Sequence, residues 1–160
     1  MRPDFVTRTT LTTERPTYQE KMGELGHVPF IHYDPATGRV VQTGHCSPVE
    51  LDHQAVAGCE RLDGLTADIN ADYVDLSGGF AVVRPRPALP GFDKTTILAD
   101  GQDVATILLP DPCTVTINGT AHIVEGGRLE LVGAYPGAYR VVIDQFPHLP
   151  FEETVTCASP

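Results

Sequence analysis

The chain has 160 residues, 41 % of them hydrophobic, and a formal net charge of −10. That length carries one ordinary domain or two small ones with modest core depth. The acidic balance argues against sequence-independent binding of nucleic acid, which needs clustered Lys and Arg, and no apolar stretch approaches the roughly 20 residues of a membrane span.

Residues 1–26 show no sustained period of either kind. Their charges cancel, Arg2, Arg8, Arg15 and Lys21 against Asp4, Glu14, Glu20 and Glu24. They read as an extended arm with no core of its own, ordered by packing on a neighbouring protein. Its apolar residues Phe5, Val6, Leu11, Tyr18 and Met22 are the candidate partner-binding residues. The basic start and apolar run of a secretory signal are missing, so synthesis in a cytosol is the expectation.

From His27 the pattern changes. Val28–Tyr33 and Arg39–Thr43 are β-rich runs around Asp34-Pro35-Ala36-Thr37-Gly38, which predicts a β-hairpin. Ser47-Pro48-Val49-Glu50 has Ser at an N-cap, Pro at the first helical position and Glu three after Ser, the pattern of a capping box. A helix from Pro48 to Ala57, stopped by Gly58, is predicted there. Residues 59–72 are acidic and turn-rich. Tyr73–Leu76 and Phe80–Val83 around Gly78-Gly79 then predict a second hairpin. Residues 27–84 thus read as a small α+β unit, hairpin-helix-hairpin, with the helix laid over one face of the sheet. The prolines of 85–91, following Arg84, predict a stiff extended connector.

Residues 92–160 carry seven short apolar runs, Thr95–Leu98, Val104–Leu109, Thr114–Ile117, Ala121–Val124, Leu129–Val132, Tyr139–Ile143 and Glu153–Cys157. Asn118-Gly119, Gly126-Gly127 and Pro136-Gly137 punctuate them as turns, the first being a type I′ hairpin signal. Every second residue is apolar in Thr114–Ile117 and Arg128–Leu131, as in strands with one buried face. The array predicts an antiparallel β-sandwich. Phe146, Leu149 and Phe151, spaced by prolines, are expected to plug one end of it. The fold class expected for the whole chain is mainly β.

Chemistry is sparse. His45, Cys46, His53 and Cys59 gather soft ligands, but adjacent His45 and Cys46 face one ion poorly and no C-x-x-C or H-x₃-H pair is present. Asp68, Asn70 and Asp72 alternate like the first calcium ligands of an EF-hand loop, which then fails at Tyr73 and Gly79. An exposed acidic turn explains them. Gly-x-Ser-x-Gly is absent, and Ser47, Ser77 and Ser159 fall in a cap, a turn and the tail. Neither a catalytic residue, a metal ligand set nor a cofactor site is therefore assigned. The four cysteines are too scattered for a disulfide framework and read as buried thiols. Cys113 and Cys157 would be bridged only if the fold brought their Cα atoms within roughly 4.4–6.8 Å.

The segment Phe30-Ile31-His32-Tyr33-Asp34-Pro35-Ala36-Thr37-Gly38-Arg39-Val40-Val41-Gln42-Thr43-Gly44 resembles the opening of small structural proteins of tailed bacteriophages. Asp72-Tyr73-Val74 followed by Val83-Arg84-Pro85-Arg86-Pro87 resembles their middle. Ala99-Asp100-Gly101 through Gly137-Ala138-Tyr139-Arg140-Val141 to Phe146-Pro147 is similar to the Ig-like modules that decorate phage tails and capsids. The resemblance implies a virion component of the tail, baseplate or an attached fibre, present in multiple copies, docked on other virion proteins by its arm and located in the virion. A capsid decoration protein is the alternative within that class. A host-surface glycan is the binding partner a lone β-sandwich would suggest, although the chain has no Trp to stack on sugar rings.

Overall fold

The computed structural model describes residues 26–160, which are mainly β, with several antiparallel sheets and one short helix among them. The arm and its five candidate contacts, Phe5, Val6, Leu11, Tyr18 and Met22, lie outside the described residues.

Strands β1 (Val28–Tyr33), β2 (Val40–Cys46) and β3 (Glu60–Asp63) form an antiparallel sheet in the order β2-β1-β3. The central place of β1 leaves Phe30 to Tyr33 buried on both faces. Gly44, paired with Phe30, leaves room for its ring, since a Cβ there would lie 2.6 Å from the ring edge. The first predicted hairpin is present. Asp34 closes its turn by accepting from the Ala36 amide and the Thr37 hydroxyl, bonds that hold its carboxyl below the usual range.

Strands β4 (Asp72–Asp75) and β5 (Val82–Pro85) form the second hairpin. It joins the first where Arg39 bridges Tyr73 and the Val74 amide donates to the Gly38 carbonyl at 2.8 Å. Ile31, Tyr33, Val40 and Val74 make a first core, flanked by Leu62, Leu76 and Val83.

Between the hairpins the chain departs from expectation. The helix is a 3-10 helix over Pro48–His53, not an α-helix to Ala57 laid over the sheet. The Ser47 hydroxyl donates to the Glu50 carboxylate and caps no backbone amide, and the helix buries no residue. A short helix without a buried stripe lacks the tertiary packing that sustains α-helices. The turn-rich stretch after it supplies β3, whose single aliphatic residue is Leu62. It is a strand because the open edge of β1 gives its backbone hydrogen bonds a destination.

All seven runs of the C-terminal array are strands: β6 (Thr96–Leu98), β7 (Val104–Leu108), β8 (Cys113–Ile117), β9 (Thr120–Val124), β10 (Arg128–Val132), β11 (Gly137–Ile143) and β12 (Phe151–Ala158). Five form one sheet in the order β6-β12-β11-β8-β9, and β10 pairs with β7 in another. Each pairing is antiparallel except β6 with β12, which is parallel. Alternate residues of both sheets, among them Ala105, Ile107, Val115, Leu131, Val141, Ile143 and Val155, meet in a second core. Each larger aliphatic side chain so buried contributes roughly 1.5–3 kcal/mol.

Cys113 and Cys157 both lie in this core as free thiols. Cys157 pairs with Gly137 at the start of β11, whereas Cys113 sits near Gln145 beyond its end. That separation is roughly 25 Å of strand, far beyond the reach of a bridge. The expected plug is divided: Phe151 packs on the second core, and Phe146 turns toward the first group of strands.

Candidate functional site at the junction of the two cores

Phe146 lies in the loop between β11 and β12, and residues from the first hairpin, from β4 and from the connector converge on it. The Arg39 guanidinium stands 4.4 Å from its ring centroid and that of Arg86 5.4 Å. Tyr73 meets it edge-on at 6.1 Å and 88°. Both guanidinium distances are within cation–π range, worth about 0.5–2 kcal/mol apiece depending on desolvation.

Arg86 does more than flank the ring. Its Nε donates to the Pro147 carbonyl at 3.0 Å, Nη1 to the Asn70 carbonyl at 3.0 Å, and Nη2 to the His148 carbonyl. Its amide donates to Ala71 at 2.7 Å, and the Leu149 amide donates to Pro87 at 2.9 Å. One side chain from the connector thus ties the loop before β4 to the loop before β12. The planar fork of arginine suits this task, and a lysine reaches fewer carbonyls at once. Through that fork the joint positions two bodies against each other.

The connector predicted from its prolines is therefore held from both sides. Its first residue, Pro85, ends β5, and Leu89 and the following Phe92 pack on the second core. The prolines of 85–91 predict a spacer, and their spacing does not predict that Arg39, Tyr73, Arg86 and Phe146 form a set. An arginine enclosed by Pro85 and Pro87 is the one local signal that marked it.

The soft-ligand residues are not brought together. Cys46 is buried, with its thiol pushed up by that burial and by Glu50; Cys59 is half-buried, and His45 and His53 are exposed. Among the described residues no three His, Cys, Asp or Glu side chains are grouped to hold a metal ion. In the acidic loop the carboxylates serve their own backbone: Asp68 accepts from the Asn70 and Ala71 amides, and Asp72 from the Asp68 amide. Ser77 donates to Asp75, which also holds Arg84 at 2.8 Å. These contacts depress the Asp75 carboxyl, the serine bonds most.

The other polar concentration lies on the β1–β3 pair. His32 is 1 % exposed, opposite Arg61, and neither ring nitrogen has a hydrogen-bond partner among the described residues. Burial lowers its proton affinity and Arg61 lowers it further, against a smaller opposing pull from Asp63. Tyr33 donates its hydroxyl to Glu60, which together with burial pushes the phenol up to about 12. Arg61 binds Asp63 at 2.7 Å and donates to the Leu51 carbonyl, pinning the 3-10 helix to the sheet edge.

No family model matches this chain, and neither a curated protein nor a solved structure does.

Proposed function

We propose that this protein is a structural component of a tailed-bacteriophage virion, in the tail, baseplate or an attached fibre. It docks on neighbouring virion proteins through residues 1–26 and presents its C-terminal strands as an immunoglobulin-like β-sandwich. The strand order is the observation that supports the immunoglobulin-like part of the reading, and the virion part rests on the sequence resemblance of residues 30–44, 72–87 and 99–147. Strands β12, β11 and β8 side by side, with β9 added, match the G, F, C and C′ strands of immunoglobulin-type modules, and β7 with β10 match B and E of the facing sheet. Tyr139 two residues before the buried Val141 has the spacing of the tyrosine corner in such modules.

The joint supports the division of labour. Arg86 and Phe146 hold the end of the array where β11 stops and β12 starts. The opposite end carries the Asn118-Gly119 turn and the loop of Tyr135, 80 % exposed. An anchored body with one free end is suited to presentation, and the acidic surface keeps unassembled copies apart in solution. Deleting residues 1–26 is expected to abolish incorporation into the parent particle while leaving a chain with an unchanged β circular-dichroism spectrum. Unchanged incorporation would overturn the proposal.

A further inference from the structure

Among the described residues, strand β9 ends the five-stranded sheet and is hydrogen-bonded on one side only, to β8. Sheet edges in soluble proteins are commonly guarded by a lysine, a proline or a bulge. Thr120-Ala121-His122-Ile123-Val124 has no such guard: it pairs with β8 without a register shift, and Ile123 is 76 % exposed. The whole hairpin Cys113–Val124 contains no Asp, Glu, Lys or Arg, in a chain whose net charge is −10.

The geometry points to this edge as the surface on which a second copy of the chain pairs. In a hairpin closed by a two-residue turn, the flanking pair Ile117–Thr120 exchanges hydrogen bonds. Thr120, His122 and Val124 therefore aim their backbone groups at β8, and Ala121 and Ile123 aim theirs at the open edge. Setting an identical strand antiparallel about a two-fold axis at His122 places Ala121 opposite Ile123 of the other copy, twice over. Every outward N–H and C=O of these residues then has a partner, in four hydrogen bonds. His122 meets its own counterpart in a non-hydrogen-bonded pair, and each exposed Ile123 gains an apolar neighbour.

Electrostatics selects the same occupant. Most of an acidic surface repels a second copy, whereas this hairpin carries no carboxylate and its approach is not opposed by one. The symmetry is isologous, so the contact closes at two copies and joins the two sheets into one of ten strands. A five-residue edge buries little area, so the contact is weak in isolation and strengthens where copies are already held close. The inference needs only the edge and stands apart from the virion reading.

Cysteine cross-linking of the purified full chain tests it. Facing residues of a non-hydrogen-bonded pair have Cα atoms about 4.5 Å apart, within disulfide reach. In the same dimer Thr120 lies roughly 14 Å from its own counterpart. Under mild oxidation His122→Cys should form linked dimer at least about tenfold faster than Thr120→Cys. Both variants keep the native thiols, three buried and Cys59 half-buried, so their background is shared. Adding Ile123→Lys to His122→Cys should return the rate to that of Thr120→Cys. Equal rates for the two cysteine variants, an Ile123→Lys that changes nothing, or peptide mapping that links residue 122 to a different cysteine would each overturn the proposal.

Discussion

His32 is the penultimate residue of β1, with its ring edge-on to Phe30, 5.3 Å between centroids, and is closed off from water. An imidazole there is tolerated only while neutral, because the cation would be buried beside the Arg61 guanidinium. In the unfolded chain the ring takes a proton near its usual 6.5; in the folded protein it does so only at lower pH. Between those values the unfolded chain binds more protons, so stability present above about pH 6.5 is lost as pH falls. The loss has a limiting slope of about 1.4 kcal/mol per pH unit for one proton. Urea midpoints measured from pH 7.5 down to pH 5 should fall for the native chain and stay flatter for His32→Leu. Parallel profiles would show that His32 carries no such linkage.

Gly38 shows how a hairpin turn is joined to its neighbour. Its φ is +78°, and a Cβ would lie 2.0 Å from the Val74 carbonyl oxygen, on the backbone that docks the second hairpin. Gly38→Ala is expected to cost more than about 2 kcal/mol from strain and overlap together, read as a lowered melting temperature. The turn itself was legible, as were the seven C-terminal strands: β8 and β10 because a half-buried strand writes its orientation into every second residue, and β9, exposed over most of its length, from the Asn118-Gly119 turn before it. Strand β3 was not, since Glu60-Arg61-Leu62-Asp63 has no such alternation and owes its form to the edge of β1. The helix was misread for the converse reason. Ser47, Pro48 and Glu50 have the right identities for an α-helix start, but the residues after them offer no face to bury, and Val49 is left 82 % exposed. The candidate site was the least legible part. Arg39, Tyr73, Arg86 and Phe146 are brought together by the fold from distant places in the chain, and apart from the prolines flanking Arg86 no local spacing announces a contact of that kind.

The joint decides whether the molecule behaves as one body or two. Phe146→Ala removes the ring on which two guanidinium groups and Tyr73 converge, while every residue of both buried clusters remains. The expected result is a broader small-angle X-ray scattering distance distribution with an unchanged β circular-dichroism spectrum; an unchanged distribution would assign the rigidity to the Arg86 bonds alone. The parallel pairing of β6 with β12 has its own consequence at this scale, for biosynthesis. The two strands are about sixty residues apart in sequence, and β12 is also the partner of β11. On a ribosome β6 therefore emerges long before the strand that will hold it, and the larger sheet cannot close until the last of its members has been made. A chain interrupted before Phe151 would leave the apolar faces of β6 and β11 open to proteases and chaperones.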